Sequence, residues 1–158
     1  RCLLCPLADG CRARSMGQAE AFPVKAPKRP RPLKRGAAWW IEHEGDVALV
    51  RRPPRGLLGG MLALPSSAWG VDTEAEPPFA AEWRQLPEPV RHGFTHFELE
   101  LTVQIARTPH RLNAIDSQPL IWTSRAAVPG AGLPTLFARA AERALAETLE
   151  PAPDTETA

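Results

Sequence analysis

The sixteen residues from Ala21 to Gly36 constrain this chain more than any other stretch: A-F-P-V-K-A-P-K-R-P-R-P-L-K-R-G holds four prolines, six lysines and arginines, and no acid. Each proline removes an amide donor and fixes φ, so the stretch is expected to run extended, as neither helix nor central strand. It divides the chain into a short N-terminal piece and a remainder of roughly 120 residues, enough for one domain with a core and too few for two. The hydrophobic share of 44% and charged share of 23% are those of a globular protein, and 18 prolines favour loops and short strands over a helical bundle. No apolar run is long enough to cross a bilayer, and the N-terminus has no secretory pattern. The expected address is cytoplasmic, with no membrane contact.

A net charge of +1 conceals an asymmetry. Residues 1–36 carry nine basic against two acidic side chains, a balance of +7, whereas residues 37–158 carry ten against sixteen, a balance of −6. A basic arm on a mildly acidic domain suits a phosphate backbone, because each neutralised phosphate releases counterions. Charge alone fits a solvated linker equally well.

Past the arm, Ala37 to His43 is apolar and aromatic, Glu44-Gly45-Asp46 has turn chemistry, and Val47 to Arg51 is apolar again, which predicts a hairpin. A loop follows through Arg51-Arg52-Pro53-Pro54-Arg55 into Gly56-Leu57-Leu58-Gly59-Gly60-Met61, whose glycines permit tight turns. Phe79 to Leu86 is expected to form a short helix ended by Pro89. Arg91 to Arg107 reads as β-rich, and Leu120 to Thr123 as a further strand. Leu133, Leu136, Phe137, Ala140, Ala141, Ala144, Leu145 and Leu149 recur at helical spacing after Pro134, predicting an amphipathic helix of about four turns. Strands first, with a helix in the middle and one at the end, make an α+β domain with a mixed or antiparallel sheet and flanking helices.

All three cysteines fall in Cys2-Leu3-Leu4-Cys5-Pro6-Leu7-Ala8-Asp9-Gly10-Cys11. The C-x2-C-x5-C spacing suits a soft metal or an iron–sulfur centre, and the odd count argues against a disulfide framework. Either zinc or a [4Fe–4S] cluster normally takes four ligands, so a fourth lies upstream of Arg1 or is absent. A zinc knuckle and three unmetallated thiols remain open. The run resembles the last three cysteines of the C-x6-C-x2-C-x5-C motif that closes the cluster of endonuclease III and the adenine DNA glycosylases of the MutY family. On that resemblance Cys2, Cys5 and Cys11 are cluster ligands, the fourth cysteine is upstream, and the chain is a C-terminal fragment.

The order of the remaining pieces is similar to the C-terminal part of the same family: Phe22-Pro23 with a basic connector, the hairpin, R-x-x-x-G-L-L-G-G-M, a strand leading to F-[ST]-H-F, and an x-L-P-x-L helix. The resemblance implies a cluster-loop end over residues 1–15, a linker over 16–36, a Nudix (MutT-like) domain over 37–150 and a disordered tail over 151–158. An active Nudix hydrolase carries R-E-x-x-E-E on a helix, clustering carboxylates around magnesium. After Gly60 this chain offers Pro65, Ser66, Ser67 and Trp69, with Asp72, Glu74 and Glu76 spread along a Pro-rich stretch. A magnesium site is therefore not expected, and Glu74, Glu76 and Glu82 read as surface carboxylates.

Phe94-Thr95-His96-Phe97 resembles the family's F-S-H loop, whose hydroxyl meets the Hoogsteen edge of 8-oxoguanine. The oxidised base differs there by an N7 hydrogen and an O8 oxygen, and a hydroxyl that donates and accepts can tell the two apart. Thr95 keeps the hydroxyl of the commoner serine while adding a methyl and stiffening χ1. By the resemblance Phe94, Thr95 and His96 meet DNA, and Lys25, Lys28, Arg29 and Arg31 touch its backbone; Phe94 and Phe97 as core residues, and His96 as a turn residue, is the plainer alternative. The implied parent is a monomeric bacterial base-excision-repair glycosylase acting on duplexes with 8-oxoguanine·adenine mispairs. Its catalytic residues would lie upstream, leaving this fragment inactive. A Nudix-type nucleotide pyrophosphatase and a zinc-stabilised interaction module are the competing readings.

Overall fold

The structure, a computed structural model, describes residues 2–24, 30–71 and 75–148. Lys25, Lys28, Arg29, Asp72, Glu74, Leu149 and the tail at 151–158 lie outside the described residues. The chain separates into two units, Arg1–Pro30 and Arg31–Ala158. Among the described residues, no helix is long and apolar enough to cross a membrane.

In the first unit a 3-10 turn, Cys2–Leu4, precedes the one-turn helix α1, Arg12–Ser15, and a second 3-10 turn spans Ala19–Ala21. None of these three elements has a buried residue.

The second unit is built on one sheet. Strands β1 (Leu33–His43) and β2 (Asp46–Arg51) form the expected hairpin, joined by Glu44 and Gly45, both at positive φ. That two-residue turn has the twist that antiparallel strands prefer, and it sets the register His43↔Asp46. There follow β3 (Leu62–Ala63), β4 (Arg84–Gln85), β5 (Val90–Gly93), β6 (Glu98–Arg107), β7 (Ala114–Ile115) and β8 (Gln118–Ser124). The strand order is β4-β6-β1-β2-β8-β7, with β3 added to β2 and β5 to β6. Among the described residues only the β1–β6 pair is parallel, from Leu33↔Glu98 to Glu42↔Arg107, so the sheet is mixed as expected.

The long C-terminal helix α2, Thr135–Thr148, also forms where the periodicity placed it. Its first turn closes on the Pro134 carbonyl, and Leu136, Phe137, Ala140, Ala141 and Ala144 are buried. They meet Leu99, Leu101, Val103 and Ile105, the alternate residues of β6, together with Trp40, Leu49 and Val128. Because β1 is central, its other face is covered too: Ala37, Trp39 and Ile41 pack with Ala48 and Ile115 under Phe79, Trp83 and Trp122.

Two expectations are corrected. The linker does not extend to Gly36; Leu33 to Gly36 belong to β1, the strand beside β6 in the middle of the sheet. Pro32 is the last proline of the run, so every amide beyond it is free to pair, and four registered positions against Glu98–Leu101 outweigh the polarity of Lys34 and Arg35. Nor is Phe79–Leu86 a helix. Arg84 and Gln85 pair with Ile105 and Gln104 of β6, while Phe79 and Trp83, 5.1 Å between ring centroids, lie on the second core cluster. The four-residue spacing that reads as helical is met instead by an irregular bend closed by the Trp83 indole N–H donating to the Phe79 carbonyl, at 2.9 Å.

Candidate nucleic-acid interface

Phe94 to Phe97 connect β5 to β6 as a four-residue turn closed by the Phe94 amide donating to the Phe97 carbonyl, at 2.9 Å. The turn splits its side chains by role. Thr95 and His96 stand exposed at the tip, and among the described residues no hydrogen bond or ion pair engages either side chain. Phe94 and Phe97 are half-buried and packed against the main core. A free hydroxyl and a free imidazole are thus presented on a rigid aromatic footing, which is the arrangement a polar reader of a base edge requires.

The footing is a column of rings. Phe94 meets Phe97 at 4.7 Å, His92 edge-on at 4.6 Å, and Trp69 nearly stacked at 5.9 Å. Trp69 in turn lies 6.4 Å from Phe137 of α2, which is fully buried. Offset and edge-to-face pairs at such separations add to area burial, so the turn's position is set from the core outward. Gly36 makes the column possible: a Cβ there would come within 2.5 Å of Trp69 Cδ1.

Trp69 arrives on an extended segment rather than a helix. The Pro65 carbonyl accepts from the Trp39 amide, Ser67 donates to the Ala37 carbonyl and accepts from its amide through Oγ, and Gly70 exchanges both bonds with Arg35. Residues 65–70 are therefore tied along β1 just where the resemblance puts the carboxylate-bearing helix of an active hydrolase. Among the described residues, no three His, Cys, Asp or Glu side chains gather as they would around a metal ion. Glu76 and Glu82 are exposed.

Arg52 joins this column to the glycine-rich loop. Its guanidinium lies 5.0 Å over Trp69 and 5.9 Å over Phe137, while Nε donates to the Leu57 carbonyl and one terminal nitrogen to Ser66 Oγ. Desolvation by burial lowers its pKa below the ordinary arginine value, and the ring faces and acceptors compensate the charge. The loop bends through positive φ at Gly56, Leu58 and Gly60, and is tied by Arg51 donating to the Gly60 carbonyl. Leu57 and Met61 are left exposed beside it.

Of the residues expected to touch a DNA backbone, only Arg31 is described. It donates at 2.9 Å to the Phe94 carbonyl and at 2.8 Å to Glu98 Oε1. Lys34 Nζ sits 4.6 Å over the Phe97 ring. Arg35 and Arg91 both reach Glu100, at 3.5 and 2.9 Å. Sequence reasoning placed Arg52 at the head of the R-x-x-x-G-L-L-G-G-M run without giving it a role, and did not find Trp69 or the inward role of Arg31, which act through partners distant in the chain.

In the first unit Cys2 and Cys5 are exposed and Cys11 half-buried, all as free thiols. They sit on successive turns, Cys5 N–H to the Cys2 carbonyl, Ala8 to Cys5 and Cys11 to Ala8. Soft thiolate donors suit iron–sulfur chemistry, but the three are one short of the four ligands of a [4Fe–4S] cluster and are not gathered around a common point. By themselves they do not compose the site. Leu3, Leu4 and Leu7 beside them are largely exposed.

A family model described as a NUDIX domain matches residues 36–143. Among solved structures, the fold is similar to a MutT protein from Methanosarcina mazei Go1, at 16% identity and a TM-score of 0.60 over 78% of this chain and 100% of that one. It is similar also to the C-terminal domain of mouse MUTYH, in a complex with human PCNA, at 17% identity and a TM-score of 0.57 over 77% of this chain and 94% of that one. A third is the E. coli dihydroneopterin triphosphate pyrophosphohydrolase, at 10% identity and a TM-score of 0.53 over 77% and 99%. At these identities the likeness is one of fold.

Proposed function

This chain belongs to the NUDIX domain family, and on that footing we propose that it uses the fold to read a base in duplex DNA rather than to hydrolyse a pyrophosphate. It is the C-terminal part of an adenine DNA glycosylase, and its share of the work is to recognise 8-oxoguanine opposite a misincorporated adenine. The observation that carries this reading is the Phe94–Phe97 turn, with an unengaged hydroxyl and imidazole at its tip and two phenylalanines anchoring it to the core. The extended run at residues 65–70, held along β1 through Pro65, Ser67 and Gly70, supports it by leaving that stretch without a helix. The likeness to the MUTYH domain adds support at the level of fold.

In this role Thr95 Oγ1 donates to or accepts from the Hoogsteen edge, and His96 donates to a neighbouring phosphate. Lys25, Lys28 and Arg29 neutralise phosphates along the connector. Adenine excision needs the base flipped from the stack and an acid and a carboxylate beside it; those groups belong to the glycosylase part of the parent.

Fluorescence-anisotropy titration of the chain tests the reading. Its affinity for a duplex with 8-oxoguanine opposite adenine is expected to exceed that for guanine opposite adenine, both falling as salt rises with a slope of about −0.9 per phosphate contact. Equal affinity for the two duplexes, or magnesium-dependent release of pyrophosphate from a nucleoside triphosphate, overturns it.

For the first unit, Cys2, Cys5 and Cys11 would supply three of the four thiolates of a [4Fe–4S] cluster, the fourth coming from the glycosylase part. The cluster would tie the cysteine turns into one loop. Metal analysis of the parent protein should find about four irons and matching acid-labile sulfide per chain, lost on replacing Cys5 with serine. Stoichiometric zinc without sulfide would instead make this an interaction module.

A further inference from the structure

We propose that Arg31, the first residue of the sheet domain, is a positioning residue that holds the Phe94–Phe97 turn in its reading conformation; this rests on the turn's role proposed above. The first residue of the tetrapeptide is tied to Arg31, and the residue that follows its last is tied to Arg31 and Pro32. The Phe94 carbonyl accepts from one terminal nitrogen of Arg31 at 2.9 Å, and the other donates to Glu98 Oε1 at 2.8 Å. The Glu98 amide, in turn, donates to the Pro32 carbonyl at 3.0 Å.

The guanidinium crosses directly over Gly93, where an added Cβ would lie 3.5 Å from its nearest nitrogen. Lys34, two residues beyond Pro32, covers the Phe97 ring. With the closing Phe94–Phe97 bond, the turn's backbone is fixed at entry and exit, and only the Thr95 and His96 side chains are left unengaged.

The side chains of Arg31 and Glu98 are 45% and 55% exposed, so their ion pair adds little to global stability. Its effect is local. A planar guanidinium spans a carbonyl and a carboxylate at once, which a lysine ammonium at the end of a flexible stem does not reproduce. Arg31 thereby links the end of the basic connector to the loop that meets the base, so the turn is set only when residues 31–32 are seated beside β6.

The test compares Arg31→Ala and Arg31→Lys with the unaltered chain, by hydrogen exchange at the Phe94 and Glu98 amides, which donate to the Phe97 and Pro32 carbonyls, and by affinity for the two duplexes. Both variants should melt within about 2 °C of the parent, exchange at least fivefold faster at the Phe94 and Glu98 amides, and lose severalfold of the preference for 8-oxoguanine. If Arg31 merely touches a phosphate, Arg31→Ala will weaken both duplexes equally and reduce the salt slope by about one, Arg31→Lys will restore both, and loop exchange will not change. That outcome overturns the proposal. Should the unaltered chain fail to distinguish the duplexes, the reading of the turn falls, whereas unchanged exchange in Arg31→Ala removes the positioning role alone.

Discussion

Phe137→Ala is expected to lower stability by about 3–5 kcal/mol, a fall in Tm of roughly 10–15 °C. Phe137 is fully buried on α2, and the helix is held to the sheet by this ring and the small side chains of Ala140, Ala141 and Ala144. Alanine at 137 leaves a cavity between the helix and β6, and neighbouring alanines cannot lean in to fill it. Against a total stability of about 5–15 kcal/mol for a domain this size, the loss is a large share. The damage also reaches the surface, because Trp69 rests 6.4 Å away and carries Phe94 on its other side, while Arg52 loses one of its two ring faces. Phe137→Leu separates the two effects. It nearly conserves volume, so it should cost less than about 1.5 kcal/mol, yet it removes the aromatic face beneath Trp69. Chemical denaturation supplies the first quantity and the ratio of duplex affinities the second. A loss below about 1 kcal/mol in Phe137→Ala would mean that α2 is not seated on this ring.

The parts of the fold that the sequence revealed are those with a local cause. The α2 periodicity runs through Leu136, Phe137, Ala140, Ala141 and Ala144, all within nine residues, and each faces the core. Gly45 marks the hairpin because a two-residue turn with positive φ at both positions favours glycine at the second. What stayed hidden is non-local. Leu33–Gly36 becomes strand only through pairing with Glu98–Leu101, and Phe79 and Trp83 fall where a sheet face needs cover rather than where their spacing puts them. The same division runs through the candidate interface. The exposed tip at Thr95 and His96 follows from a short polar step between two aromatic residues, but what steadies it does not: Arg31 reaches Phe94 across 63 positions, and Trp69 needs the empty Cβ site of Gly36. A basic run reads naturally as a surface for phosphate. Its last members spend their charge differently, on a carbonyl and carboxylate for Arg31 and on a ring for Lys34.

Thr95→Val is the substitution that addresses the base-reading role most directly, since it exchanges one hydroxyl for a methyl of nearly the same shape. The side chain is exposed and makes no hydrogen bond among the described residues, so Tm should stay within about 1 °C; surface substitutions of this kind cost under about 0.5 kcal/mol. A β-branched residue also keeps the stiff χ1 that directs the group outward. Preference for 8-oxoguanine over guanine is expected to fall by about tenfold, equivalent to ~1.4 kcal/mol, the scale of one discriminating hydrogen bond left unmade in an interface. The loss should fall on the oxidised duplex, because guanine offers an N7 acceptor where 8-oxoguanine offers a donor and an adjacent oxygen, and only the latter pattern repays the hydroxyl in full. Thr95→Ser keeps the hydroxyl and should keep the preference, with a change confined to the fit of the missing methyl. Anisotropy titrations of the three proteins on both duplexes, at one salt concentration, decide the matter. If valine weakens the two duplexes alike, Thr95 shapes the turn and does not read the base, and the source of discrimination must be sought at His96.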